Sequence, residues 1–291
     1  MRIKRSKKDF TRNDLPKNRW EVFGDCLKMR FMLFVYMGLT LLVCSIPLFF
    51  VTFLKDNTVS ALYAAYSNAE YTKEEYFALM QSANSIYSLF FIPCYLVLAI
   101  GVSGVMQVIR QLVWGEGVFF MQDTLEGVKS NGILYASIAL IMGGIVYSIN
   151  TFLPLQNSTS SVVASILVIL FIVPPTGLVV SQAVVYKNNF IKYYVNGFSL
   201  YVRTVPKTLL FTVLFVLPCV LGLDLVPFLI KYIVMFVFFL FLAPMLFTGW
   251  FLYSCSVFDK YINKETYPEI YDKGVFGKAD TDKVSEMQKS E

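Results

Sequence analysis

The chain has 291 residues, of which 56% are hydrophobic and only 15% charged, with a net charge of +5. Those proportions exclude a pair of water-soluble domains, which have no use for so many unbroken apolar runs. Histidine is absent, which removes the commonest general base and the commonest transition-metal ligand.

Residues 1–30 carry ten Lys or Arg against four acids. This stretch reads as an anchor drawn to anionic headgroups. Nucleic acid is not an expected partner, because no folded basic domain accompanies the arm. Residues 1–19 are taken as the arm, 20–257 as the transmembrane domain and 258–291 as a charged tail. Trp20, Phe23, Leu27 and Phe31 fall on one helical face and predict an amphipathic helix leading into the first apolar run. That run, 31–54, is long enough to cross ~30 Å of hydrocarbon and is expected to stay as a helix, not to be cleaved as a signal.

Residues 55–85 read as an outer loop. Thr72 and Glu75 form a capping-box pair, predicting a helix start near Lys73. The tyrosines at 63, 66, 71, 76 and 87 suit the outer interface, so a short interfacial helix is expected, with a lid or a partner surface as alternatives. A second span covers 86–109. Val118, Met121, Leu125 and Val128 then share a stripe, with Gln122, Asp123, Glu126 and Lys129 elsewhere, and spans at 131–153 and 162–186 follow. Over 187–205, Phe190, Tyr193, Tyr194, Gly197, Phe198, Tyr201 and Val202 give a third amphipathic helix, closed by Pro206. The last spans are 208–223, short enough to need tilt, and 232–257.

Loop charge sets the orientation. With the N-terminus inside, segments 1–30, 110–130, 187–207 and 258–291 hold 22 Lys or Arg, and the outer segments hold 3. Each such residue forced to the bilayer centre costs ~2.5–3.5 kcal/mol on insertion scales, so both termini are expected in the cytoplasm. The fold class is therefore all-α: a polytopic bundle of six transmembrane helices in three hairpins, each introduced by a cytoplasmic amphipathic helix. The amphipathic helices are expected in the inner interface, on the ends of the spans, or both. The returning spans repeat Phe91-Ile92-Pro93, Phe171-Ile172-Val173-Pro174 and Phe241-Leu242-Ala243-Pro244, and each proline predicts a kink whose freed carbonyl needs another partner. Pro47 and Pro218 add kinks to two outgoing spans, and simple packing is favoured over a central cavity. Gly101, Ser103, Gly104, Gly143 and Gly144 suit close helix contact.

Catalytic chemistry is not legible. The five cysteines have no metal or disulfide spacing, and no phosphate loop, HExxH or GxSxG occurs. Gln107, Asn150 and Gln182 are the polar exceptions within spans and read as interhelical hydrogen-bond partners. No cofactor, metal or enzymatic activity is expected. Asn157-Ser158-Thr159 matches a glycosylation sequon, to which no role is assigned.

The stretch Gly104–Asn131 reads GVMQVIRQLVWGEGVFFMQDTLEGVKSN. Its basic span end (Arg110), short acidic turn (Gly115-Glu116-Gly117), aromatic and acidic segment (Phe119, Phe120, Asp123) and closing Lys129 and Asn131 resemble the YesL-type family of bacterial integral membrane proteins. The chain departs from that pattern in having Thr124 after the acid and a long first outer loop. The resemblance implies a bacterial plasma-membrane protein of no established activity, accessory to a carbohydrate ABC importer, and supplies no catalytic residues. Arg110, Glu116, Asp123, Lys129 and Asn131 are the candidate contacts for a cytoplasmic partner, beside a solvated turn with local salt bridges. The alternative is a small permease or exporter working through a cavity among the kinked hairpins; no EAA-type coupling loop of an importer permease occurs in 126–144. The oligomeric state is not legible.

Overall fold

A computed structural model describes residues 16–153, 158–224 and 228–275, and for 158, 215–224 and 228–229 the backbone alone. Among the described residues 89% are helical and none is in a strand. In order, α1 is Arg19–Met29, α2 Phe31–Ser67, α3 Lys73–Val113, α4 Phe120–Phe152, α5 Ser158–Phe171, α6 Val173–Val185 and α7 Phe190–Asp224. Then come α8 Phe228–Val237, a π-helical turn Phe238–Leu242, α9 Ala243–Phe258, a second π turn Asp259–Asn263, and α10 Lys264–Thr266.

Five stretches are long and apolar enough to cross a bilayer: α2, α3, α4, Thr159–Val185 and Ile230–Thr266. Their most apolar windows are only 17–33% buried. Side chains such as Ile133 (85% exposed) and Phe152 (76%) therefore point outward. Water does not tolerate an outer surface this apolar over the whole bundle, whereas lipid does. The protein is a multi-pass helical membrane protein. The expected span 208–223 falls on the second half of α7, whose side chains from 215 onward lie outside the described residues.

The expected outer loop 55–85 is almost entirely helix. Helices α2 and α3 run 37 and 41 residues, or ~55 and ~60 Å at 1.5 Å per residue, about twice the hydrocarbon thickness. Lys55, Asp56 and Asn57 end the apolar run without ending the helix. They change the solvent a helix prefers, not its backbone bonding. Only 68–72 turn the chain. Ala69 takes φ 61° there, and the Tyr66 and Tyr76 rings stack at 4.6 Å across the hairpin. The capping box forms as expected: Glu75 N–H donates to Thr72 Oγ1 (3.3 Å), and Thr72 N–H donates to Glu75 Oε2 (2.8 Å).

The three similar proline motifs have three different outcomes. Helix α3 continues through Pro93. Pro174 opens α6 after a break at Ile172 (φ −109°, ψ −46°). Pro244 opens α9 directly after the first π turn. A proline strips the carbonyl four residues before it of its helical donor. For Pro174 that carbonyl is Leu170 O, and the Tyr201 hydroxyl donates to it at 2.6 Å. For Pro244 it is Leu240 O, which lies against Gly38 of α2. Tyr201→Phe should accordingly cost about 1–2 kcal/mol, the penalty of a buried carbonyl left without a donor. A fall in the unfolding temperature in detergent would measure it; an unchanged temperature would mean that another donor serves Leu170.

The amphipathic segments are helical, and their expected faces turn partly inward and partly outward. Phe23 and Leu27 of α1 pack against the core. In α7, Tyr193, Gly197 and Tyr201 are buried while Phe198 and Val202 are exposed. Helix α1 buries Val22 and Cys26 and leaves Trp20 exposed. At the start of α4, Met121 and Leu125 point outward while Asp123 and Gly127 are buried. Glycine decides this. A Cβ on Gly127 would sit 2.8 Å from Ser103 O and one on Gly104 2.8 Å from Thr124 O, so α3 and α4 touch along these positions and turn their larger apolar groups to lipid. The amphipathic half of α7 closes two residues before Pro206, as expected, at a break between two helices that run on as one element. The helix bends at Thr204 (φ −129°, ψ 17°) and goes on, because a proline near the start of the following helix removes a donor that has no intrahelical acceptor. The first half of α7 docks along α6 in the opposite sense. The Tyr193 hydroxyl donates to Tyr186 O, Gly197 meets Val179 and Pro175 O, and Tyr201 reaches Leu170.

Candidate functional site at the basic end

One end of the bundle gathers α1, the α3–α4 loop, the start of α7 and residues 259–275. Trp114-Gly115-Glu116-Gly117 make a tight turn, with Gly115 at φ 70°. The Glu116 carboxylate accepts from Lys273 Nζ at 2.7 Å and lies 3.9 Å from Arg110 Nη2. The Trp114 ring is flanked by Arg110 at 5.1 Å and Lys273 at 4.3 Å. Arg110 also donates to Val184 O at 3.1 Å, occupying a carbonyl in the last turn of α6. Residues 267–275 thus fold back over the α3–α4 loop. Gly274 (φ +86°) makes this possible, since a Cβ there would stand 2.2 Å from Val113 O.

A second set of bonds ties the two ends of the transmembrane region together. Arg19 donates to Asp259 Oδ2 (2.5 Å) and to Lys273 O (2.7 Å). Asn263 Nδ2 donates to Asp259 Oδ1 at 2.8 Å, and Tyr186 donates to Asn263 Oδ1 at 2.5 Å. The second π turn carries both Asp259 and Asn263 inward. Burial, with Cys255, Asp259 and Tyr267 close by, pushes the Tyr186 phenol well up, so it stays a donor at any physiological pH. Burial likewise pushes the Cys26 thiol up to about 11, against the opposing Arg30 charge. That is the environment of a packing residue and not of a thiolate nucleophile.

Of the residues singled out in the sequence, Arg110 and Glu116 meet in this cluster. Asp123 is buried and accepts from Gln111 Nε2 (3.0 Å) and from Phe119 N–H (2.6 Å), which fixes the start of α4. Lys129 is exposed and Asn131 half-buried further along α4, apart from the cluster. Sequence reasoning missed Arg19, Asp259, Asn263 and Lys273, because loop charges reveal a side of the membrane and not a partner. Trp114 lay within the distinctive stretch but carried no signal of its own.

Inside the bundle, Asn150 Nδ2 donates to Ser88 Oγ at 2.7 Å, joining α4 to α3 as expected. Gln182 is wholly buried, and neither of its amide atoms is bonded among the described residues. An apolar cavity of about 390 Å³ lies between Val102, Met106, Thr212, Phe247 and Trp250 where α5–α6 is broken. The far end is pinned by Lys231, 3.0 Å from Asp56, with Tyr232 donating to the same carboxylate. The expected sequon begins at Asn157 and so falls partly outside the described residues. Comparison with protein-family models, with curated proteins and with solved structures finds no match to this chain.

Proposed function

We propose that the protein is a non-enzymatic, six-span plasma-membrane protein with both termini cytoplasmic, acting as an accessory to a carbohydrate ABC importer of a bacterial cell. The Arg19–Asp259 pair is the observation that carries the topology. A residue before the first apolar stretch bonds one near the far end of the last, which supports an even number of crossings. Counting the second half of α7 as a crossing beside the five apolar stretches gives the six that we propose. The Lys273–Glu116 pair brings the α3–α4 loop to the same end, as two crossings between 30 and 110 require. The bias of 22 Lys or Arg to 3 supports assigning that end to the cytoplasm.

The accessory role rests on the resemblance of 104–131 to YesL-type proteins and on the place of its polar residues. Lys129 is exposed, and the Glu116 and Lys273 side chains keep about a third of their surface open, so a partner can reach them. Photo-crosslinkers placed at Lys129, Asn131 and Glu116 in cells growing on an oligosaccharide should capture an importer subunit. Capture of none, at any of the three and under any inducing sugar, would remove the proposal.

The apolar cavity supports a second reading, that of a permease or exporter. Its lining is almost wholly hydrocarbon, which suits an apolar cargo and not a sugar. Transport of such a solute by proteoliposomes holding only this chain would favour it over the accessory role.

A further inference from the structure

The first half of α7 has three distinct faces. Tyr193, Leu200, Tyr201 and Thr204 are buried against α6 and α9. Lys192, Asn196, Ser199 and Arg203 follow one helical line and wall a cleft of about 330 Å³, whose other wall includes Tyr261 and Tyr267. Ile191, Val195, Phe198 and Val202, each one position earlier, are 76, 61, 53 and 58% exposed. One position is about 100° of helix, so the cationic line and the apolar line adjoin along the same stretch, 191–203.

No carboxylate lines the cleft. Among the described residues, neither Lys192 nor Arg203 has an ion pair. The Arg203 guanidinium rests over the Tyr261 ring at 5.8 Å, and Lys260 approaches the same ring at 5.1 Å. The cleft thus offers two positive groups, the amides of Asn188 and Asn196 and the Ser199 hydroxyl to a ligand, with Lys260 nearby on the Tyr261 ring and large aliphatic and aromatic groups at its lip. A free anion satisfies the first set and leaves the apolar line uncovered. A zwitterionic lipid brings an ammonium into an already cationic cleft. An anionic amphiphile satisfies both lines together.

We propose that this cleft binds one anionic phospholipid, its phosphate between Lys192 and Arg203, its headgroup hydroxyls toward Asn188, Asn196 and Ser199, and an acyl chain over Ile191, Val195, Phe198 and Val202. The inference needs only that the chain sits in a bilayer. It does not depend on which side this end faces or on the importer role, so its failure leaves those readings untouched.

The test uses the full chain purified in a neutral detergent and titrated with phosphatidylglycerol, phosphatidylcholine, glycerol 3-phosphate or inorganic phosphate, with bound lipid counted by native mass spectrometry. Phosphatidylglycerol should saturate at one tightly held molecule per chain, with at least about tenfold preference over phosphatidylcholine, whose ammonium is repelled by the cations that hold its phosphate. Lys192→Gln and Arg203→Gln should each reduce that preference and together abolish it. Both side chains are exposed, so the variants should elute and melt like the parent. Lys207→Gln, an exposed cation outside the cleft, should keep the preference, and Phe198→Ser should weaken lipid binding. Glycerol 3-phosphate or inorganic phosphate binding as tightly as the lipid would overturn the proposal in favour of a soluble anion. So would a phosphatidylglycerol preference that survives the double Gln variant.

Discussion

Gly38→Ala should destabilise the protein by about 2–3 kcal/mol, the upper range for an added group with nowhere to go. A Cβ at this position would lie 1.8 Å from Leu240 O and 3.0 Å from Leu240 Cα. Both atoms belong to backbone, so no rotamer change relieves the contact. Leu240 O is the carbonyl that Pro244 deprives of its helical donor, and it sits inside the π turn 238–242. The wide turn and the proline expose that oxygen, and Gly38 lets α2 close over it; α2 and the π turn form one of the principal contacts of the bundle. The matched control is Gly144→Ala in α4, where nothing stands within 4 Å of the added carbon. There the substitution should be neutral or stabilise by up to about 1 kcal/mol, the ordinary helix preference for alanine. Thermal unfolding of the two variants in one detergent measures the contrast. Equal behaviour would mean that α2 and the π turn are not in contact in the membrane.

Much of the architecture was legible because lipid imposes a simple rule. Uncharged runs of about twenty residues must be helices, and five of the six expected runs coincide with helices long and apolar enough to cross. The Thr72–Glu75 pair was legible for a local reason: both partners lie within four residues. What failed was any inference that treated hydropathy as a marker of helix ends. Hydropathy reports the solvent around a helix, so Lys55 and Asp56 closed the expected span while α2 ran on to Ser67.

The amphipathic stripes were legible, but which part of each turns inward was not, for a related reason. In water an apolar stripe turns inward, but beside a bilayer it is free to turn outward. Met121 and Leu125 do so, and the glycines of α3 and α4 take the inner contact. At the basic end, Glu116 and Arg110 were singled out by the resemblance of the stretch 104–131 to YesL-type proteins. Their partners stand 157 residues away at Lys273 and 74 away at Val184. No periodicity in the chain links positions so remote.

Arg19→Met should cost about 3–5 kcal/mol, the usual effect of removing one member of a buried ion pair. The two side chains are 13% and 9% exposed, too enclosed for water to replace the lost partner. Asp259 would keep only its bond from Asn263, and Lys273 O would lose its donor. The cost should be visible in two ways. The unfolding temperature should drop, and a protease should cut within 264–275 sooner than in the parent, because Arg19 holds the segment that Lys273 and Gly274 fold back over the α3–α4 loop. Adding Asp259→Leu to Arg19→Met should recover a large part of the loss, since the buried charge then disappears with its partner. The double variant separates two meanings of this pair. If stability returns but the segment stays open to protease, the bond to Lys273 O is what closes the basic end, and the ion pair is chiefly a burial cost that Arg19 offsets. If both return together, apolar packing alone joins α1 to the end of the last apolar helix.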